Sequence, residues 1–206
     1  MDKRKQNMLD YCKMMAKDNL TKVGDCLSIR TADGMLITSP AVAMQDMQES
    51  DIIEIKNSDK KDSNIALHSA IYATRSDVNA IITNHAPYCE IVSNNKSKLV
   101  ASLDDMAQII GPTAKVVKGT EQSILGALKS RNACLIAGGG VVAIGRSVDE
   151  VHTATLVLEK GARVEVEGTI MGKAIKIPLW EAMLMNFVYK KKYSKANQAA
   201  KMEEIK

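Results

Sequence analysis

The run N-A-I-I-T-N-H-A-P-Y-C, Asn79 to Cys89, turns from strand to helix within a few residues. Ala80-Ile81-Ile82 is an apolar run of the kind buried on both faces of a sheet. Pro87 has the fixed φ and the missing N–H that suit the first turn of a helix. His85 falls between the two, at the end of a buried strand, where α/β proteins often hold ligands. It can be part of a metal site, the remainder of one, or simply a histidine at a strand end.

Upstream, C-L-S-I-R-T and M-L-I-T flank Ala32-Asp33-Gly34, and Asp-Gly between β-rich runs predicts a hairpin. D-I-I-E-I-K over 51–56 reads as a further strand. Residues 1–18 place Met8, Cys12, Met15 and Ala16 on one face at helical spacing. Ser63 is the expected cap of a helix over 64–75, with Leu67, Ala70, Ile71 and Thr74 on its apolar face. Downstream, short strands are expected at 98–101 and 114–117, and helices near 103–110 and 121–130. A-C-L-I-A, G-G-G and V-V-A-I-G read as strand, turn and strand. Ser147-Val148-Asp149-Glu150 has the capping-box pattern and opens a long helix over 147–165. Its inner face is Val151, Ala154, Thr155, Leu158 and Ala162. Pro178 starts a last helix carrying Trp180 and Phe187. Interleaved strands and helices with a hairpin predict an α/β or α+β domain on a mixed sheet.

The 206 residues suit one domain, taken as 1–190, followed by a basic tail over 191–206. With one Trp and one Phe, the core must come from Ile, Val, Leu, Ala and the twelve Met. The net charge of +4 is matched by the six Lys and two Glu between Lys190 and Lys206, so the rest of the chain is neutral. A neutral body argues against a nucleic-acid-binding face. The charged start M-D-K-R-K-Q-N lacks the apolar stretch of a secretory signal, and no apolar run approaches the ~20 residues of a membrane span. A cytoplasmic protein without membrane contact is expected. Cys12, Cys26, Cys89 and Cys134 have no C-x-x-C spacing and read as reduced, packed thiols.

Candidate chemistry is thin at local spacing. Gly138-Gly139-Gly140 precedes a strand, not the helix that a phosphate loop must open, so it reads as a tight turn. His68 reads as a satisfied, partly buried structural histidine and His152 as a boundary residue. Cys89, just past a helix start and four residues from His85, suggests a Cys/His pair; a buried Cys is the simpler reading.

The order of D-G-M-L-I-T, L-H-S-A-I-Y-A-T-R-S-D-V-N-A-I-I-T-N-H-A-P-Y-C and A-C-L-I-A-G-G-G-V-V-A-I-G-R-S-V-D-E resembles the class II aldolase/adducin family, from about residue 8 to 170. The resemblance implies a three-layer αβα sandwich on a mixed, largely antiparallel sheet, assembled as a homotetramer with active sites between subunits. In the family's enzymes zinc is held by an H-x-H pair and a histidine of an H-G motif. A glutamate after paired serines moves the proton. The metal polarises the sugar carbonyl and stabilises the enediolate formed on C–C cleavage.

This chain departs at those positions. H-x-H becomes Thr83-Asn84-His85, H-G becomes Gly139-Gly140, and S-S-E becomes Asp62-Ser63-Asn64. The family's Gly-Asn becomes Asp25-Cys26 and its Thr-Gly becomes Pro40-Ala41. The resemblance therefore implies a vestigial pocket of Asn64, Thr83, His85 and Gly139, with His85 the one retained ligand position. No zinc or other cofactor is expected. Ser63 and Ser39 are the candidates left for phosphate, while a carboxylate at Asp25 or Asp62 facing the pocket would repel it. The expectation is a family member without zinc-dependent aldolase activity, acting as a small-molecule-binding or assembly scaffold for a sugar-like ligand. The alternative is a divergent aldehyde-lyase or epimerase using His85, Tyr88 or a neighbouring subunit.

Overall fold

The structure is a computed structural model that describes residues 2–59 and 63–204. Helix α1 (Lys3–Lys17) is capped by Asp2, whose carboxylate accepts from the Arg4 N–H. A hairpin of β1 (Cys26–Arg30) and β2 (Gly34–Thr38) follows, closed by Thr31 N donating to Gly34 O at 3.0 Å. Then come β3 (Ile52–Lys56), α2 (Ser63–Thr74), β4 (Ala80–Asn84), α3 (Pro87–Asn95) and β5 (Lys98–Val100). The second half comprises α4 (Asp104–Ile109), β6 (Thr113–Val117), α5 (Glu121–Leu128), β7 (Ala133–Ile136), β8 (Val141–Gly145), α6 (Val148–Ile170) and α7 (Leu179–Glu204).

The eight strands form one sheet in the order β3-β2-β1-β4-β8-β7-β6-β5. Every neighbouring pair is antiparallel except β6 with β7. Strand alternation sorts the side chains into two cores. Ala80 and Ile82 of β4, with Val141 and Ala143 of β8, pack under α1, α3, α4 and α6. Ile81, Val142 and Ile144 point the other way, onto Ile71 and Tyr72 of α2 and Ile124 and Leu128 of α5. The three-layer sandwich on a mixed, largely antiparallel sheet is thus the observed architecture. β4 is buried on both faces because both layers cover it, which is why its sequence does not alternate.

Four local expectations are corrected. Thr74 is exposed, and the buried face of α2 is His68, Ile71 and Tyr72. Ser63 is the first residue of α2 and not its cap. α6 runs five residues past 165, to Ile170, and its expected inner face is buried throughout. Ser147 accepts from Glu150 N as expected, but the Glu150 carboxylate turns to Arg146 instead of closing the box. All four cysteines are buried and none forms a disulfide. No helix among the described residues is long and apolar enough to cross a membrane.

Candidate functional site

A cleft of about 480 Å³ opens at the C-terminal end of β4, between the N-terminal parts of α2 and α5. Thr83, Asn84 and His85 form one wall, Gly139 and Gly140 of the β7–β8 turn a second, and Gly24 and Asp25 before β1 a third; Leu67, Ile124, Ile136 and Val141 make it apolar below. The β1–β4 pairing sets Cys26 against Thr83, which carries Asp25 to the residues just past the end of β4.

Asp25 and His85 interact directly. Asp25 Oδ1 lies 2.5 Å from His85 Nδ1, and Asp25 Oδ2 accepts the backbone N–H of His85 at 3.2 Å and of Lys22 at 2.7 Å. The carboxyl is wholly buried while the imidazole is 40% exposed. Burial raises the Asp25 pKa above its ordinary value, against the opposing pull of the His85 and backbone hydrogen bonds. With Nδ1 engaged, the ring is held in one orientation. Its Nε2 edge is turned to the glycine turn, where a Cβ on Gly140 would stand 3.6 Å away.

The turn itself leaves room because it has no side chains. Gly138, Gly139 and Gly140 have φ of 90°, 121° and 97°, a region that favours glycine. A Cβ on Gly139 would lie 3.5 Å from Glu90 Oε1 and 3.8 Å from the His85 ring. Glu90 is paired with Lys22 at 2.6 Å. Thr83 Oγ1 is buried with no hydrogen-bond partner, an unusual state for a polar atom and one that a ligand hydroxyl would relieve.

The structure brings Thr83, His85 and Gly139 together in this cleft. The side chains of Ser63 and Asn64, and the whole of Asp62, lie outside the described residues. Ser39 follows β2, does not line the cleft, and accepts from Ala41 N at 3.3 Å. Asp25 does line the cleft, but its carboxylate is spent on His85 and two amides; its role as the imidazole's partner is the feature that sequence reasoning missed.

The Cys89–His85 pair does not form. Cys89 is wholly buried, and burial, with the neighbouring Glu159 carboxylate, holds its thiol well above the ordinary range. Glu159 of α6 also accepts the N–H groups of Tyr88 and Cys89 at 2.8 and 3.0 Å, so the α3 N-terminus already has its anion. Tyr88 donates to Glu167 at 3.0 Å and is turned to α6. His68 is fully buried, not partly: its Nδ1 is 2.8 Å from Ser28 Oγ and its Nε2 has no partner. His152 is also buried, and bonds Asp18 at 3.0 Å.

The donor set does not fit the zinc of the resembled family. One imidazole, with Nδ1 taken by Asp25, faces a neutral hydroxyl at 83 and bare backbone at 139. A zinc site needs three or four ligands from His, Cys, Asp or Glu, and no such group of three occurs among the described residues.

Residues 6–166 match the family described as Class II Aldolase and Adducin N-terminal domain. A 5-methylthioribulose-1-phosphate/5-deoxyribulose-1-phosphate aldolase of Rhodospirillum rubrum is 30% identical over 135 residues, 59% of this chain and 61% of that protein, so less than two thirds of its length is spanned. An L-fuculose phosphate aldolase of Escherichia coli is 29% identical over 156 residues, 69% of this chain and 73% of that protein. A solved L-fuculose 1-phosphate aldolase superposes with a TM-score of 0.83 at 25% identity, covering 92% of this chain and 97% of that one. The matched residues run from α1 into α6, and on that match the chain belongs to the class II aldolase and adducin family.

Proposed function

We propose that the cleft binds a small polyhydroxylated, sugar-like molecule without zinc, and that the chain does not carry out the zinc-dependent aldol cleavage of its sugar-phosphate relatives. The observation that carries this is the single imidazole, tied to Asp25, with Thr83 and Gly139 at the other two ligand positions. The orphan Thr83 hydroxyl and the glycine turn offer hydrogen bonding and space to a neutral polyol. Asp25 and Glu121 are the charged residues among the lining, so the cleft favours an uncharged sugar over its phosphate ester. The chain acts as a homotetramer in the cytoplasm, with residues 191–206 outside the domain. A second reading, a divergent lyase or epimerase, is favoured by the Asp25–His85 pair alone: a carboxylate that orients an imidazole suits proton transfer.

The test is calorimetry and thermal shift on the full chain. L-fuculose should give heat of binding and its 1-phosphate little. Added zinc should leave the midpoint unchanged, since stabilisation follows RT ln(1 + [L]/Kd) and a one-imidazole site has a weak Kd. A large zinc shift in the wild-type chain overturns the proposal. Turnover of either sugar without metal, lost in His85→Asn, would select the second reading.

A further inference from the structure

We propose that the outer face of α7 is a self-docking surface that pairs antiparallel with α7 of a second copy of this chain. One side of α7 is fixed to the domain. Ala182 is buried, Met185 packs on the core, Asn186 Nδ2 donates to Gln108 O at 2.7 Å, and Lys190 Nζ donates to Ser130 O at 3.2 Å. The other side presents Leu179, Trp180, Met183, Leu184, Phe187 and Val188, each 54–69% exposed. Their spacing of three and four residues makes one stripe along the helix.

The size of the stripe points to a macromolecular partner. At those exposures it bares on the order of 700 Å² of apolar side chain, more than the few hundred Å² usual on a monomer and near the ~800 Å² that each side gives to a standard interface. The stripe is also held rigid by its buried side, so little ordering cost attends docking.

Charge selects the occupant. From 179 to 189 the one charged residue is Glu181, and Lys190, Lys191 and Lys192 follow at once. Glu181 and Lys192 lie three turns apart on the same flank of the stripe. An antiparallel pair therefore sets Glu181 of each copy beside Lys192 of the other. In that register Leu184 meets Phe187 of the second copy near the two-fold axis, and Trp180 lies against Lys191 of the second copy, a cation–π arrangement. Antiparallel helices also oppose their dipoles favourably. A parallel pair would set the three lysines against their own counterparts. An anionic bilayer would meet Glu181 on the stripe's edge and lysines only at one end. The contact is isologous, so it doubles whatever assembly the remaining surfaces form.

Light scattering on the full chain at tens of micromolar tests this with wild type, Phe187→Glu, Glu181→Lys and Glu181→Lys/Lys192→Glu. The expected result is an even number of chains for wild type, half that mass for Phe187→Glu with an unchanged circular dichroism spectrum, weakened association for Glu181→Lys, and recovery in the double reversal. Should Phe187→Glu lose its spectrum, Leu184→Gln is read in the same way. A wild-type monomer overturns the proposal, and flotation of that monomer with phosphatidylserine vesicles would assign the face to a membrane. A folded Phe187→Glu of wild-type mass also overturns it, as does a double reversal no better than Glu181→Lys.

Discussion

His68 is wholly buried between β1 and α2, and burial pushes its pKa down to about 3. Its Nδ1 meets Ser28 Oγ, which in turn meets the Tyr72 hydroxyl at 2.8 Å, so the neutral ring is the form that this pocket accepts. The sign is fixed by which state binds the proton. Between about pH 6.5, the unfolded value, and the folded value near 3, the unfolded chain holds a proton that the folded chain refuses. Stability contributed by this group is present above the unfolded pKa and is lost as pH falls, by about 1.4 kcal/mol per pH unit once well inside the window. His68→Gln keeps a polar partner for Ser28 and cannot titrate. Urea unfolding of both proteins at pH 7, 6, 5 and 4 should show a shallower acid slope for the variant. Equal slopes would mean that His68 is charged in the fold. The sequence places His68 on the correct helix, but its depth follows from α2 lying against β1, which periodicity alone does not reveal. Asp25 was hidden for the same reason. It stands sixty residues from His85, and only the β1–β4 pairing makes them neighbours.

At the scale of elements, the turn between β7 and β8 decides what the cleft can hold. Three successive glycines with positive φ put backbone where the resemblance expects a ligand-bearing side chain. Gly139→Ala should cost about 1 kcal/mol or more from the left-handed conformation alone, which for a chain of this size lowers the melting midpoint by about 2–4 °C. An unchanged midpoint would mean that the turn rearranges freely. The same strain bears on any attempt to rebuild the metal site. Thr83→His with Gly139→His must meet Glu90 and the His85 ring within 4 Å of the new Cβ, and should gain a zinc-dependent thermal shift only if the turn yields. Elements such as this turn were legible locally: the glycine run, the Asp-Gly hairpin, Pro87 at the start of α3 and Ser147 before α6 each mark a boundary by their own stereochemistry. The strand order was not, because the antiparallel β1–β4 and β4–β8 pairings join segments far apart in the chain and leave no local periodic mark. The resemblance implied the sandwich and its largely antiparallel sheet, but no strand order.

At the scale of the molecule, α7 runs uninterrupted from Leu179 to Glu204 and crosses the expected domain boundary at 190. Among the described residues, it is tied to the domain by Asn186 on the carbonyl of Gln108 in α4, by Ala182 and Met185 on the core, and by Lys190 on the carbonyl of Ser130. The segment leading into it is also tied down, since Ile177 N donates to Ala101 O and Lys176 pairs with the Glu165 carboxylate of α6. Lys176 has its pKa lowered, by burial first and by Lys96 second, yet its carboxylate partner, shared with Lys96, is itself mostly buried. If residues 191–206 are a tail and not part of the domain, their removal should leave the melting midpoint within about 2 °C of the full chain, the size of effect expected of surface changes. Removal of 179–206 should instead uncover α4 and the apolar side chains beneath it, and lower the midpoint by about 8 °C or more. Thermal unfolding of the two truncations, each checked for association state because the longer deletion also removes the apolar stripe, separates the two roles of α7. A large loss already on removing 191–206 would place the domain boundary further toward the C-terminus.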